Sequence, residues 1–517
     1  MSTHDVVEQR PSEQKTSTRA WVALASMAVL LISIGLDLTV LNVALPNLAV
    51  DLRATSSDLQ WFVNAYALVM AASLLPAGRL GDRFGPRLLI VGSAFVFGLA
   101  SAACAWAPDA TWLILARGLM GAAAGFYMPL SMSMLTRMFS GSDRSRAISL
   151  WTVAVALGIP IGPLLGGWLL DHFWWGAVFV INIPLTLIAV VGLAASLPST
   201  RPDPTVSVDV PGAVLSSAGF VLLTYGFTQA GDTSWGDPVV LSTLGAGLLL
   251  TIAFLLWLRR GRHPLFPLSI FRSPQFLWGC VMATLASLVM MTTIFVVPQY
   301  VQVWTGTNAL GVGLRLLPFI GGLVFAVPVS EQIIARTTNR YRLVVALGFV
   351  IAAAGAFLAS RTSPDSPTSY LVVWNGLLGA GVGFALPNSM DLAMSVMDST
   401  ESGTGSGLVQ CLRQLGGNFG VAVLGTVMVG AYRRGLTTDG LPPEAAEAVR
   451  SSPSLGAVVA TKSQIPQLLS NVQDSFLSGM ELVFTILAVL ALVTALVAAV
   501  RVPRDPGDHL TEAAGGF

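Results

Sequence analysis

The chain has 517 residues, of which 54% are apolar and 11% charged, with a formal net charge of +1. Soluble domains carry about 25% charged residues, so a single water-soluble core is excluded and a polytopic membrane protein is indicated. The basic residues are scattered over short loops and form no stripe, which argues against nucleic-acid binding.

Residues 1–19 are polar, lack the layout of a signal peptide, and read as a tail. Apolar runs of about 20 residues, long enough to span a bilayer, follow. Fourteen are delimited by Gly, Pro or charge: 21–45, 59–77, 88–107, 111–139, 147–170, 174–197, 211–229, 239–258, 276–303, 309–334, 343–360, 370–397, 403–432 and 476–500. Pro-containing or charged linkers at 200–209 and 259–274 bracket the seventh and eighth runs. The expected organisation is an all-α membrane protein with a six-helix bundle at 20–197 and linkers with an extra helix pair at 198–271. A second six-helix bundle at 272–501 and a tail at 502–517 complete it. Residues 433–474 form a polar, Pro-containing external loop in which 444–449 can start a short helix.

Arg79, Arg83, Arg87, Arg137, Arg144, Arg146 and further Arg residues fall on the side of the termini. The short loops on the other side receive only Arg53 and Arg361. By the positive-inside bias both termini are expected in the cytoplasm, in the cell membrane. Cys104, Cys280 and Cys411 all lie in apolar runs and read as small buried hydrophobes.

The apolar runs contain the acids Asp37, Glu331, Asp391 and Glu481, the bases Arg117, Arg315 and Arg413, and no His well inside. Ionisable groups at membrane depth are costly and mark functional sites. Any proton that crosses this chain therefore needs a carboxylate. Asp37 lies about eight residues from the outer end of its run and Arg117 about six from the end of its own. At about 1.5 Å per residue the two share a height. Burial favours the neutral acid and a facing Arg the ionised one. The pair is either a proton-coupled switch or a static ion pair.

GRLGDRFGPR, 78–87, has Gly81 and Gly85 for a tight reversal, Asp82 as a cap, and Arg83 and Arg87 as anchors. GIPIGPLLGG, 158–167, sets Gly158, Gly162 and Gly166 on one face and introduces Pro160 and Pro163 as bends. That face is either close packing or a moving interface between two halves. In SGLVQCLRQLGGNFG, 406–420, Gln410, Arg413, Gln414 and Asn418 form one polar face toward a cavity or a partner helix.

Together these strings resemble the fourteen-helix drug:proton antiporter family of the major facilitator superfamily. LDLTVLNVALP, 36–46, resembles the family's helix-1 motif, and LILARGLMG, 113–121, its helix-4 motif. GRLGDRFGPR is similar to the superfamily loop after helix 2, and GIPIGPLLGG with Gly167 to the helix-5 antiporter motif. HFWWGAVFVINIP, 172–184, resembles the branch that exports quaternary ammonium compounds and dyes. Departures are Pro86 in the loop, Met120 in the helix-4 motif, and Asn64 where some members carry Asp. Gln410 and Arg413 replace an acidic pair found in some exporters of dications. Residues 330–342 look like a degenerate copy of the 78–87 loop.

The resemblance implies two bundles that rock about a central cavity, with Asp37 as the coupling acid and Arg117 tuning it. Gly78, Asp82, Arg83, Gly85 and Arg87 become a conformational latch. Asn42, Asn64, Tyr66, Gln410, Arg413, Gln414 and Asn418 are expected around the substrate, and Glu331 and Asp391 as reserve acids. The implied activity is proton-driven efflux of hydrophobic, cationic or amphipathic drugs by a monomer in the lipid bilayer, with no cofactor, metal or enzymatic step. Export of one endogenous metabolite or antibiotic, or proton symport, fits the same fold. The chain lacks a P-loop GxxxxGK[ST], which excludes an ATP-driven pump within it.

Overall fold

Lipid offers the backbone no hydrogen bonds, so a chain this apolar satisfies its amides within helices. The computed structural model describes residues 17–503 except 201, 204, 207–208, 233–234, 261–264, 267, 306–308, 337–339, 398–401, 439–440, 452 and 463–465. In chain order the helices are α1 (Thr18–Asp51), α2 (Ser56–Phe84), α3 (Pro86–Ala105), α4 (Ala110–Met138), α5 (Gly141–His172), α6 (Ala177–Val180), α7 (Asn182–Ser196), α8 (Val210–Asp232) and α9 (Pro238–Arg260). They continue with α10 (Pro274–Thr305), α11 (Ala309–Arg336), α12 (Arg340–Ser360), α13 (Thr368–Met394), α14 (Ser402–Gly435), α15 (Pro443–Ser451), α16 (Pro453–Lys462) and α17 (Pro466–Arg501). Among the described residues there are 14 spans long and apolar enough to cross a membrane, α6 and α7 together forming the sixth. An even number returns the chain to the face where it began. We call this the terminal face, and the opposite one the far face.

Helices α1 to α7 pack as one bundle, with α1 on α5 and α7, and α4 on α2 and α3. Helices α10 to α14 and α17 form the second. The pair α8 and α9 leans on the seam between them, against α2 and α14. The bundles meet where α14 crosses α2 and α4, and where α5 crosses α11 and α13.

Two sequence expectations need refinement. The sixth run crosses as one span, but its hydrogen-bond ladder is interrupted at Ile181 between α6 and α7. Pro184 has no N–H for the Val180 carbonyl, so the ladder is interrupted there. Polar side chains fasten this segment to α3 and α1. Ser101 Oγ donates to the Phe179 carbonyl at 2.9 Å, and Asn182 bonds Ser101 and, at 2.7 Å, Ser33 of α1. The loop expected over 433–474 is largely helical: α14 runs to Gly435, α15 and α16 occupy much of the middle, and α17 already begins at Pro466. Tyr432 joins the segment to the bundle by donating to the Val449 carbonyl at 2.8 Å.

Arginines on the terminal face cap helix ends, where the last carbonyls have no partner in their own helix. Arg19 donates to the carbonyls of Ser196 and Ala195 at 3.0 and 2.9 Å, and Arg87 to Ala194 at 2.8 Å. Arg342 does the same for Val502 and Val500 at 2.7 and 3.2 Å. Arg87 and Arg342 thus open the third helix of each bundle and close its last. The two bundles share this cap at corresponding helices. Cys104, Cys280 and Cys411 are all buried and free.

The glycine face of α5 lies inside one bundle, not between the two. A Cβ on Gly158 would sit 2.3 Å from the Ile32 carbonyl oxygen, and one on Gly162 would sit 2.8 Å from that of Leu36, both in α1. Gly166 meets Val40 of the same helix. The partner across the bundles is the side of α5 with Pro160 and Leu164, which Gly313 of α11 approaches. Gly158→Val is therefore expected to cost about 3 kcal/mol or more through overpacking against backbone. The check is the monodisperse yield in fluorescence-detected size exclusion; a wild-type yield would contradict this packing.

Candidate functional site

Asp37 on α1 and Arg117 on α4 meet as the sequence heights suggested. Both are fully buried, and Arg117 Nη1 donates to Asp37 Oδ2 at 2.5 Å. Arg117 Nε donates to the Phe62 carbonyl of α2 at 3.0 Å, and the guanidinium lies 4.5 Å from the centre of the Tyr66 ring. The Arg therefore ties three helices together. Asp37 Oδ1 is buried with no hydrogen-bond partner, and so is the Tyr66 hydroxyl. A carboxylate with one oxygen paired and the other without a partner can accept a proton on the unpaired one. Asn64, two residues from both Phe62 and Tyr66 on α2, is half-buried. The side chains of Asn42 and Glu331 lie outside the described residues.

On the terminal face, Asp82 leaves its own bundle and caps α14. It accepts from the Gly403 and Thr404 amides at 3.2 and 3.1 Å and from the Thr404 hydroxyl at 3.0 Å. A carboxylate at a helix N-terminus satisfies orphan amides and the helix dipole together. Arg137 of α4 holds the same Asp82 at 3.0 Å and reaches Ser402 at 3.0 Å. Gly78 allows this approach, since a Cβ there would lie 2.3 Å from the Gly403 carbonyl oxygen. The other members of the expected latch make their contacts within the first bundle or with the linker after it. Gly85 turns the chain at φ +88°, Arg83 donates to the Val206 carbonyl at 3.1 Å, and Arg87 caps α7.

Asp391 on α13 is engaged at both oxygens. Oδ1 accepts from Arg144 of α5 at 2.6 Å, and Oδ2 from the Tyr341 hydroxyl of α12 at 2.6 Å. The expected reserve acid is thus the centre of a second bridge between the bundles. Sequence reasoning missed Arg137, Arg144 and Tyr341 as members of these bridges. The only signal available was that the two Arg residues flank one short loop, which orientation alone already explained.

The polar face of α14 divides in two. Arg413 Nε donates to Gln410 Oε1 at 2.9 Å, while Gln414 and Asn418 pair at 3.3 Å. Arg413 lies 5.8 Å from the ring centre of Trp151 on α5, in the other bundle. Beside this face an apolar cavity of about 240 Å³ opens between α2, α8, α9 and α14, lined by Leu75, Phe220, Phe254 and Leu412. Its wall is held by Ser217, which donates to the Ala72 carbonyl at 2.6 Å. Of the helix-5 motif, Pro160 is buried while Pro163 and Gly167 are half-buried. Glu481 is exposed.

Residues 27–421 match the model of the Major Facilitator Superfamily. The tetracenomycin C resistance and export protein of Streptomyces glaucescens is 32% identical over 506 residues, covering 96% of this chain and 94% of that protein. The cephamycin export protein CmcT of Amycolatopsis lactamdurans is 35% identical over 449 residues, 84% of this chain and 89% of its own. The multidrug efflux pump LfrA of Mycolicibacterium smegmatis is 30% identical over 508 residues, 96% of this chain and 99% of its own. In fold, the chain is similar to the human organic anion transporter MFSD10, at TM-score 0.57 and 13% identity, over 95% of this chain and 100% of that one. The proton:xylose symporter XylE gives TM-score 0.56 at 12% identity, over 94% and 97%.

Proposed function

The chain belongs to the Major Facilitator Superfamily, among its drug and antibiotic exporters, and from that premise we propose that it exports hydrophobic, amphipathic compounds in exchange for protons. The observation that carries the coupling is the buried Asp37 with one oxygen on Arg117 and the other without a hydrogen-bond partner among the described residues. A proton on Oδ1 cancels the negative charge that holds Arg117. Arg117 also holds the Phe62 carbonyl, and α2 carries Gly78 and Asp82 to the first turn of α14. Titration of Asp37 would thereby act on the contact that closes the terminal face.

In the proposed cycle the bundles at 20–197 and 272–501 rock against each other. The Arg distribution supports placing the terminal face in the cytoplasm. Asp82 with Gly78 closes that face, and Asp391 reinforces it. Substrate entering from the cytoplasm or the inner leaflet is released on the far side as a proton arrives at Asp37. Asp37 is already neutralised by Arg117, so it offers a cation no net negative charge. This favours amphipathic over purely cationic cargo.

The test uses everted vesicles, an imposed inward-acid pH gradient, and a panel of ethidium, naphthalene-2-acetamide and naphthalene-2-acetic acid. Gradient-driven accumulation of at least one compound, collapsed by a protonophore, is expected. Accumulation that needs ATP and survives the protonophore would overturn the reading.

A further inference from the structure

We infer that the exporter recognises its cargo through an acidic group, a carboxylate or acidic phenol, held by Arg413 and Gln410 of α14 at the seam between the bundles. This deepens the export reading and rests on it.

Among the described buried charges Arg413 is left over. Asp37, Asp82 and Asp391 are each paired with an arginine of their own, Arg117, Arg137 and Arg144, and Asp209 accepts from the Gly212 amide and the Trp257 indole. Arg413 is only 6% exposed, and its one hydrogen bond among the described residues is the Nε donation to Gln410. Nη1 and Nη2 have no acceptor there, and no carboxylate among the described residues comes within ion-pair distance. A buried, unpaired charge is expensive unless something of opposite sign arrives.

The amide of Gln410 follows from the same chemistry. A guanidinium can only donate. Gln410 must turn its carbonyl oxygen to Arg413, which leaves its Nε2 as a donor, buried and without a partner. The site is therefore built of donors that lack acceptors: a cationic fork and an amide N–H₂ side by side. A planar carboxylate accepts two parallel bonds from such a fork. Trp151 confines the guanidinium from the opposite bundle, and is itself held by donating to Ser131 Oγ at 2.9 Å. Further along α14 lie two more buried hydroxyls without partners, Ser287 and Thr292 of α10. A Cβ on Gly420 would come 3.1 Å from Thr292 Oγ1, which puts this hydroxyl in the α10–α14 contact inside the second bundle. A cation entering the seam between the bundles meets an uncompensated positive charge.

The experiment compares naphthalene-2-acetic acid, its neutral amide naphthalene-2-acetamide, and the cation 2-naphthylethylamine. Binding to the purified full-length protein is measured by tryptophan quenching and calorimetry, and transport in everted vesicles. Wild type is expected to bind the acid most tightly. Arg413→Gln should weaken the acid by about 10- to 100-fold, the range for a lost charge-assisted bond, while the amide changes by less than about threefold by the same scale. Arg413→Lys should recover part of the loss, because it restores charge without the fork. Both variants are compared at matched monodisperse yield, so misfolding is seen separately. Absence of acid binding, preference for the amine or amide, or a parallel loss of acid and amide in Arg413→Gln would each overturn the assignment. Gradient-driven transport of the amide in wild type and Arg413→Gln alike would leave the exporter reading standing even then. Loss of gradient dependence in wild type would instead remove that reading.

Discussion

Asp37→Asn is expected to reduce uphill, gradient-driven export to the level of empty vesicles while substrate–substrate exchange continues. Asn keeps the shape of the carboxylate and a carbonyl for Arg117, but it cannot take up or release the proton. Exchange of cargo across the membrane needs no net proton step, so the two assays separate coupling from binding. Removing one member of a buried pair also leaves Arg117 uncompensated, at about 3 kcal/mol or more. That corresponds to about 100-fold in a rate or an equilibrium. The double variant Asp37→Asn with Arg117→Gln removes that residual charge and should regain folded yield without regaining coupling. If uphill export by Asp37→Asn ran at the wild-type rate with a wild-type pH profile, Asp37 would not be the coupling acid.

The second large effect is expected at Asp391. Arg144 of α5 lies in one bundle, and Tyr341 and Asp391 lie in the other, so this cluster closes the terminal face by direct contact. Asp391→Asn should lose about 3 kcal/mol of that closure, as truncation of a buried charge pair does. The open form of this face would gain about 100-fold in weight by that measure. Spin labels at Leu88 and Leu343, both exposed at the terminal-face ends of α3 and α12, would report a longer distance. Transport should fall together with the change in distance. The charge swap Arg144→Asp with Asp391→Arg should bring the distance back. A reserve proton carrier would behave differently, losing coupling at an unchanged distance, so that outcome would sink the bridge and revive the carrier. Asp82 makes a separate bridge to the α14 N-terminus. The face should therefore loosen in Asp391→Asn rather than open fully.

The two bridges also show what the placement of residues on short loops leaves open. Arg137 and Arg144 flank the turn between α4 and α5, and the positive-inside bias accounts for their sign and side. It says nothing of which carboxylate they reach, because Asp82 is 55 and Asp391 247 positions away in the chain. The glycines at 158, 162 and 166 carried a similar ambiguity. Their spacing defines a shared face, yet α1 and α11 were equally open as neighbours until the bundle was assembled.

Sequence alone determined the class, the spans and the height of the Asp37–Arg117 pair. Each follows from a local rule. Hydrocarbon selects apolar runs one helix at a time, and the rise per residue sets depth without knowledge of any neighbour. Pro184 was legible as a residue, but the interrupted ladder before it was hidden by an apolar run that looked continuous. Within 433–474 the short helix at 444–449 was legible, while α16 and the early start of α17 were hidden by polarity, since such short segments hold only where the rest of the fold docks them. Only the tertiary structure decided azimuth and partner. It put the glycine face on α1, gave Asp391 to Arg144, and left Arg413 with donors and no acceptor. A helical period places four polar residues on one side of α14. What fills that side depends on which charges the other helices have already claimed.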